Sequence, residues 1–237
     1  MPVLRRLAVV VLIAFVVLAA LSELVLPGIL ARSVEAALEA TFGPPAEHDV
    51  RLASRPAVKM LLGRFDEVEV TSTNVQTSTL VLESLAVTLH DASVDLKALL
   101  SEGELEVNRS ARSRVTITIT ERNLEEYLAA NVPEFREPRV LITSDVAAFS
   151  GYVTVLGRDF VFTLSGRFVL RDESTVGFDI DGFTVDDVGV PGEFLEKWLD
   201  VLAEPDLSID LAGFPLPLRG TEVTQEEGRV IIEATAD

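Results

Sequence analysis

The chain has 237 residues, 48% hydrophobic and 24% charged, so it can bury a sizeable core and is too apolar to stay disordered. Its net charge of −18 disfavours nucleic acid as a partner, and no basic patch with interleaved aromatics offsets that charge. The absence of cysteine excludes disulfides and thiolate metal sites.

Arg5 and Arg6 precede an unbroken apolar run from Leu7 to Leu21, which ends at Ser22-Glu23. Its fifteen residues reach the upper end of a signal-peptide core but fall short of the ~20 that span a bilayer. Ala20-Leu21-Ser22 offers a small-x-small cleavage pattern. Residues 1–23 therefore read as a signal peptide or, if retained, as an N-terminal anchor in the cytoplasmic membrane. The paired arginines hold the N-terminus inside. Everything downstream is then extracytoplasmic, either anchored at the cell membrane or secreted to the periplasm, with residues 24–237 as the mature domain.

Pro27 opens an expected amphipathic helix over Gly28–Phe42, with Ile29, Val34, Ala37, Leu38 and Thr41 near one face and Gly43-Pro44-Pro45 as its stop. A short strand at Val50–Leu52 and a helical turn at Pro56–Leu62 follow. From Gly63 onward the β pattern dominates. Strands are expected at Val68–Val75 and Leu80–Leu89, then a helix at Val94–Leu100. Glu104 to Thr118 alternates with period two, apart from Arg109 and Ser113, and predicts one strand of about 50 Å. Thr120 caps a helix over Glu121–Ala130 with Leu124, Tyr127 and Leu128 on one stripe. A strand at Arg139–Ser144 precedes a three-strand meander from Tyr152 to Ile180, in which Phe160, Phe162, Leu164, Phe168, Leu170, Val176 and Phe178 share the apolar face. Pro191 opens a helix over Gly192–Leu202 striped by Phe194, Leu195, Trp198, Leu199 and Leu202. Strands at Leu218–Thr224 and Val230–Ala234 complete the chain. The fold class is α+β: a long twisted antiparallel sheet that covers its few apolar-striped helices by wrapping around them.

Motifs of catalysis are missing. There is no Cys-His pair, no G-x-S-x-G elbow, no H-E-x-x-H and no glycine-rich phosphate loop. His48 and His90 sit at element ends beside acids. Asp179-Ile180-Asp181-Gly182 with Asp186-Asp187 resembles the opening of a calcium loop, but its closing glutamate is lacking, and Asp181-Gly182 is equally a turn. Glu125/Glu126 and Asp179/Asp181 are the carboxylate pairs an enzyme could use. Arg109 falls on the apolar side of the long strand, as either a snorkelling residue or a phosphate contact. The phenylalanines concentrate late, nine of the twelve lying from Phe135 onward. A packed core and a lipid cavity both ask only for such apolar walls, so periodicity leaves the two open.

The run Leu61-Leu62-Gly63-Arg64-Phe65-x-x-Val68-x-Val70, the Leu80–Leu89 strand with its following helix, and Val115-Thr116-Ile117-Thr118-Ile119-Thr120 with Leu124 and Leu128 after it resemble the LmeA-like phospholipid-binding family of bacterial envelope proteins. The likeness covers about residues 25 to 235. It implies an envelope-associated protein that binds phospholipids such as phosphatidylinositol species, and in the mycobacterial relatives a part in maturing mannan-containing glycolipids. It also implies a fold akin to tubular lipid-binding domains, and no catalytic residues. On this reading the lipid-binding walls are Leu62, Phe65, Val68, Val70, Leu105, Val107, Val115, Ile117, Ile119, Phe160, Phe162, Leu164, Phe168 and Phe178. Leu124, Leu128, Phe194 and Trp198 close them, and a headgroup lies near Arg64 or Arg109. The partner is phospholipid; no cofactor, metal or catalytic step is expected. The alternative is a dry structural or interaction module of the envelope with the same walls packed together.

Overall fold

The computed structural model describes residues 23, 25–77, 80–133, 135–155, 157–186, 188–189, 208–211 and 218–236. The N-terminal apolar run, Phe194, Trp198 and the helix expected at Gly192–Leu202 lie outside them. Among the described residues no helix is long and apolar enough to cross a membrane.

The chain forms two compact units, Met1–Thr71 with Val87–Ser113, and Ser72–Ala86 with Arg114–Asp237. Antiparallel strands dominate, in two sheets where the sequence suggested one. A seven-stranded sheet has the order β1 (Glu47–Ala53), β2 (Arg64–Gln76), β3 (Val81–Val94), β5 (Arg112–Thr120), β13 (Arg229–Ala236), β12 (Leu218–Glu226), with β4 (Val107–Arg109) also on β3. A six-stranded sheet has the order β10 (Val188–Gly189), β9 (Thr175–Val185), β8 (Arg158–Asp172), β7 (Ala147–Val155), β6 (Arg136–Ile142), with β11 (Ile209–Asp210) on β9.

In the first unit, helix α1 spans residues 25–42. Its buried stripe is Leu30, Val34 and Ala37, while Ile29 is 52% exposed. Steps of four and three keep residues on one helical face; the step of five from Ile29 to Val34 does not. This stripe packs with Val50 and Leu52 of β1, Met60 of the 3-10 turn Ala57–Leu62, and Phe65 and Leu89 of β2 and β3. The helix expected at Val94–Leu100 is instead a short π turn, Ala98–Glu102, and Val94 still belongs to β3.

The expected 50 Å strand is broken. Val107 pairs with Val94 and Arg109 with Ser93, leaving Asn108 as an extra residue. Ser110 and Ala111 then leave the ladder, with the Ala111 N–H and the Ser110 hydroxyl both donating to the His90 carbonyl. Opposite them Asp91 adopts φ 50, a left-handed conformation that aspartate tolerates better than most residues. The break falls where Arg109 and Ser113 interrupt the alternation.

In the second unit β5 aligns Val115, Ile117 and Ile119 opposite Ala234, Ile232 and Val230 of β13. The meander β7-β8-β9 forms as the turn signals predict. Two irregularities alter it: Arg171 is extra beside the β8–β9 turn, and Ser165 faces Gly182 but Gly166 faces Ile180, so Asp181 is inserted. Buried positions are therefore even before it, at Val176 and Phe178, and odd after it, at Phe183. Gly166 is needed at this close approach, because a Cβ there would lie 2.0 Å from the Asp179 carbonyl oxygen.

Helix α2 (Glu121–Asn131) is fixed by a reciprocal cap. Thr120 Oγ1 accepts from the Asn123 N–H, and Asn123 Oδ1 accepts from the Thr120 N–H. Among the described residues the sheets do not enclose this helix: Leu124 and Leu128 are buried, while Arg122, Glu126, Ala129 and Ala130 are exposed.

Candidate functional site

The residues expected to line a lipid site divide between the two units. In the first, Phe65 and Val68 are buried in the α1–β2–β3 core, and Val70, Leu105 and Val107 are partly buried against it. Leu62 does not join them: it ends the 3-10 turn and is 74% exposed. Gly63, the next residue, has φ 69 and turns the chain into β2. Arg64 and Arg109 are both exposed. Arg109 thus stands on the solvent side, because the bulge at Asn108 shifts its parity.

In the second unit Val115, Ile117 and Ile119 are wholly buried, and Leu124 and Leu128 nearly so. Phe162, Leu164, Phe168 and Phe178 line one face of the meander, with Phe160 half-buried at its end. The rings of Phe168 and Phe178 lie 5.2 Å apart, and each meets Phe149, at 6.1 and 4.8 Å. Phe149 escaped the sequence reading. Ala147, Phe149, Gly151 and Val153 do alternate inward, but Gly151 hides the period. It is small because the Phe135 ring packs on it; a Cβ would lie 2.8 Å from that ring.

The acidic residues singled out in the sequence have structural partners, Asp187 lying outside the described residues. Glu121 and Glu125, one helical turn apart on α2, accept the Ile142 and Val140 N–H groups of β6 at 2.7 and 3.0 Å. These carboxylates satisfy donors on a strand at the sheet's edge, which would otherwise invite pairing with another chain. Glu126 pairs with Arg122, Asp179 with Arg171 and Asp181 with Arg167. Asp186 accepts the Val161 N–H. Among the described residues no group of three or more histidine or acidic side chains could hold a metal ion. The carboxylate pairs singled out for catalysis thus have structural partners.

Three aspartates are held below their usual range by donors. Asp66 accepts the Arg55 N–H and the Lys59 ammonium, Asp159 the Thr154 hydroxyl and Arg136, and Asp172 the Ser174 hydroxyl and N–H. Burial against Phe42 pushes the His48 imidazole below its ordinary value, opposed by Glu39 and Glu35.

This antiparallel-sheet chain with broad apolar faces matches one family along almost its entire length, the LmeA-like phospholipid-binding family, over residues 21–235. The chain belongs to this family. Comparison with curated proteins and with solved structures found no match. Membership of the LmeA-like family points to phospholipid binding.

Proposed function

We propose that this LmeA-like protein is a non-catalytic, extracytoplasmic phospholipid-binding module of the cell envelope. Residues 1–23 deliver it there as a signal peptide or hold it there as an anchor, and its fold is akin to that of tubular lipid-binding domains. The family match across residues 21–235 carries the reading. Acyl chains lie against Val115, Ile117 and Ile119 and against the meander face of Phe162 and Leu164, with Leu124 and Leu128 beside them. Binding is driven by removing methylene groups from water, worth about 0.8 kcal/mol each.

The test is native mass spectrometry of the full chain released from membranes in mild detergent, with organic extraction of the same sample. A stoichiometric phospholipid is expected, and a diazirine-bearing phospholipid should crosslink to peptides that contain residues 115–119 or 160–164. The ring contacts of Phe149, Phe168 and Phe178 favour a second reading, a dry envelope module whose aromatic side chains fill its own interior. An apo mass that is unchanged after incubation with liposomes would establish that reading instead. Movement of a fluorescent phospholipid between donor and acceptor vesicles distinguishes a carrier from a holder.

A further inference from the structure

The first unit carries aliphatic side chains that its core does not use. Val58, Leu61 and Leu62 of the 3-10 turn are exposed, Leu61 by 58% and Leu62 by 74%, and so are Val25 and Ile29 at the start of α1 and Leu100 of the π turn. These segments adjoin. The Glu23 carboxylate, two residues ahead of Val25, accepts the N–H of Ala57, the first residue of the 3-10 turn, at 2.8 Å. At the other end of that turn Gly63 sits against Val94 and Leu96, which lead into the π turn with Leu100. The Val94 N–H donates to the Gly63 carbonyl at 2.8 Å. Six exposed aliphatic residues are therefore gathered on one unit by two local contacts, whereas exposed aliphatics scattered singly would carry no meaning.

Two observations identify what covers them. The apolar run Leu7–Leu21 ends at Ser22, immediately before the glutamate tied to the 3-10 turn, so a membrane-directed segment leads straight to this surface. Charge is the second. The second unit holds 25 acidic against 10 basic residues, and the first, leaving out Arg5 and Arg6 ahead of the apolar run, 13 against 8, so most of the charge repelling phosphate headgroups is elsewhere. Beside the aliphatic residues in the chain, Arg55, Arg64 and Lys97 are exposed cations, and Glu23, Glu102 and Glu104 are exposed acids. Aliphatic side chains with arginine and lysine stems among their neighbours suit the boundary between headgroups and acyl chains.

We infer that the 3-10 turn, the start of α1 and the π turn form a bilayer-docking surface, through which the first unit rests in the headgroup layer. The inference rests on reading residues 7–21 as membrane-directed, and it extends the proposed function by naming where the protein meets its lipid source.

The chain has no cysteine, so single labels can be placed without background. The full chain is reconstituted in phosphatidylcholine–phosphatidylglycerol vesicles with an environment-sensitive fluorophore at Leu62→Cys, Leu100→Cys or Leu141→Cys. Leu141, on β6 of the second unit, is 59% exposed and serves as an apolar control. Labels at 62 and 100 should shift to the blue, lose most of their fluorescence when the vesicles carry doxyl lipids, and resist aqueous iodide; the label at 141 should stay open to iodide. The double variant Leu61→Asp/Leu62→Asp should restore iodide access at 100 without lowering the thermal midpoint, because both positions are exposed. Labels at 62 and 100 quenched by doxyl lipid no more than at 141 would overturn the inference. So would labels shielded from iodide yet unquenched by lipid, which would show a second copy or another protein on this surface. Co-purification of phospholipid is read separately, so failure of docking and failure of lipid binding give different results.

Discussion

Gly63 combines two demands that a methyl group meets badly. Its φ of 69 is left-handed, a conformation that costs an alanine about 1 kcal/mol or more. Its Cβ would also lie 2.2 Å from the Val94 carbonyl oxygen, where ordinary contact begins at 3.4 Å, so backbone must move by 1.2 Å. That shift strains the Val94 N–H bond to the Gly63 carbonyl, worth ~1 kcal/mol, and adds ~1–3 kcal/mol of overpacking. Gly63→Ala should therefore cost about 3–5 kcal/mol, a large part of the ~5–15 that stabilises a typical domain. Gly103 is the matched control: it has φ 73, but nothing lies within 4 Å of where its Cβ would stand. Gly103→Ala should lose only the backbone preference, ~1 kcal/mol. Thermal unfolding of the full chain in mild detergent, followed by far-ultraviolet circular dichroism, compares the two. With about 2–4 °C per kcal/mol at this size, the midpoint should fall by about 6 °C or more for Gly63→Ala and by about 2–4 °C for Gly103→Ala. Equal shifts would refute the argument that the close approach to Val94, beyond the left-handed turn itself, fixes glycine in the Leu61-Leu62-Gly63-Arg64-Phe65 run.

Glu121→Ala and Glu125→Ala should each destabilise by ~1–3 kcal/mol, because the buried side of β6 loses an acceptor; hydrogen exchange should show Ile142 and Val140 amides respectively losing protection, and unchanged protection would sink the edge-capping role. Gln225 accepts the Phe168 N–H at 2.7 Å, beyond the last β7 pairing at Gly166, and donates to the Thr143 carbonyl. Gln225→Leu should cost a similar ~1–3 kcal/mol and speed exchange at Phe168 alone among the β8 amides near it. For pH, the folded state lowers Asp66, Asp159 and Asp172 below 3.8, so their stabilisation is present above that value and is lost as pH falls through their folded pKa values. His48 is lowered from 6.5, so the unfolded chain takes its proton first and stability declines below that pH. The thermal midpoint should thus sag below pH 6.5 and drop again below about pH 4; a His48→Gln variant that keeps the first sag would refute its assignment.

Element types were legible where one period ran without interruption. The meander β7-β8-β9 and the cap of α2 by Thr120 followed from alternation and from a single side-chain oxygen at the right place, and both formed. What failed was the assumption that one period continues. Arg109 looked inward only because the count ran from Val115 through Ala111; the extra residue at Asn108 and the left-handed Asp91 reset that count. Phe183 escaped for the same reason, since inserting Asp181 exchanges the two faces of β9. Both bulges were marked in sequence by polar residues inside apolar alternation, a signal that equally marks a ligand contact.

The division of the expected wall was less legible, because alternation says which side chains face inward but not which core they enter. Phe65 and Val68 enter the first unit's core, while Ile117 and Phe162 are buried in the second. β2 and β3 each run through both units, so a continuous apolar face along one strand serves two interiors. Charge is divided between the units as well: Val87–Ser113, which belongs with the N-terminal segment, brings five acidic and three basic residues to the less acidic unit. On the docking inferred above, a bilayer-facing unit and a strongly acidic unit that repels headgroups are built from interleaved stretches of one chain, and the acid on the second disfavours its own contact with an anionic bilayer.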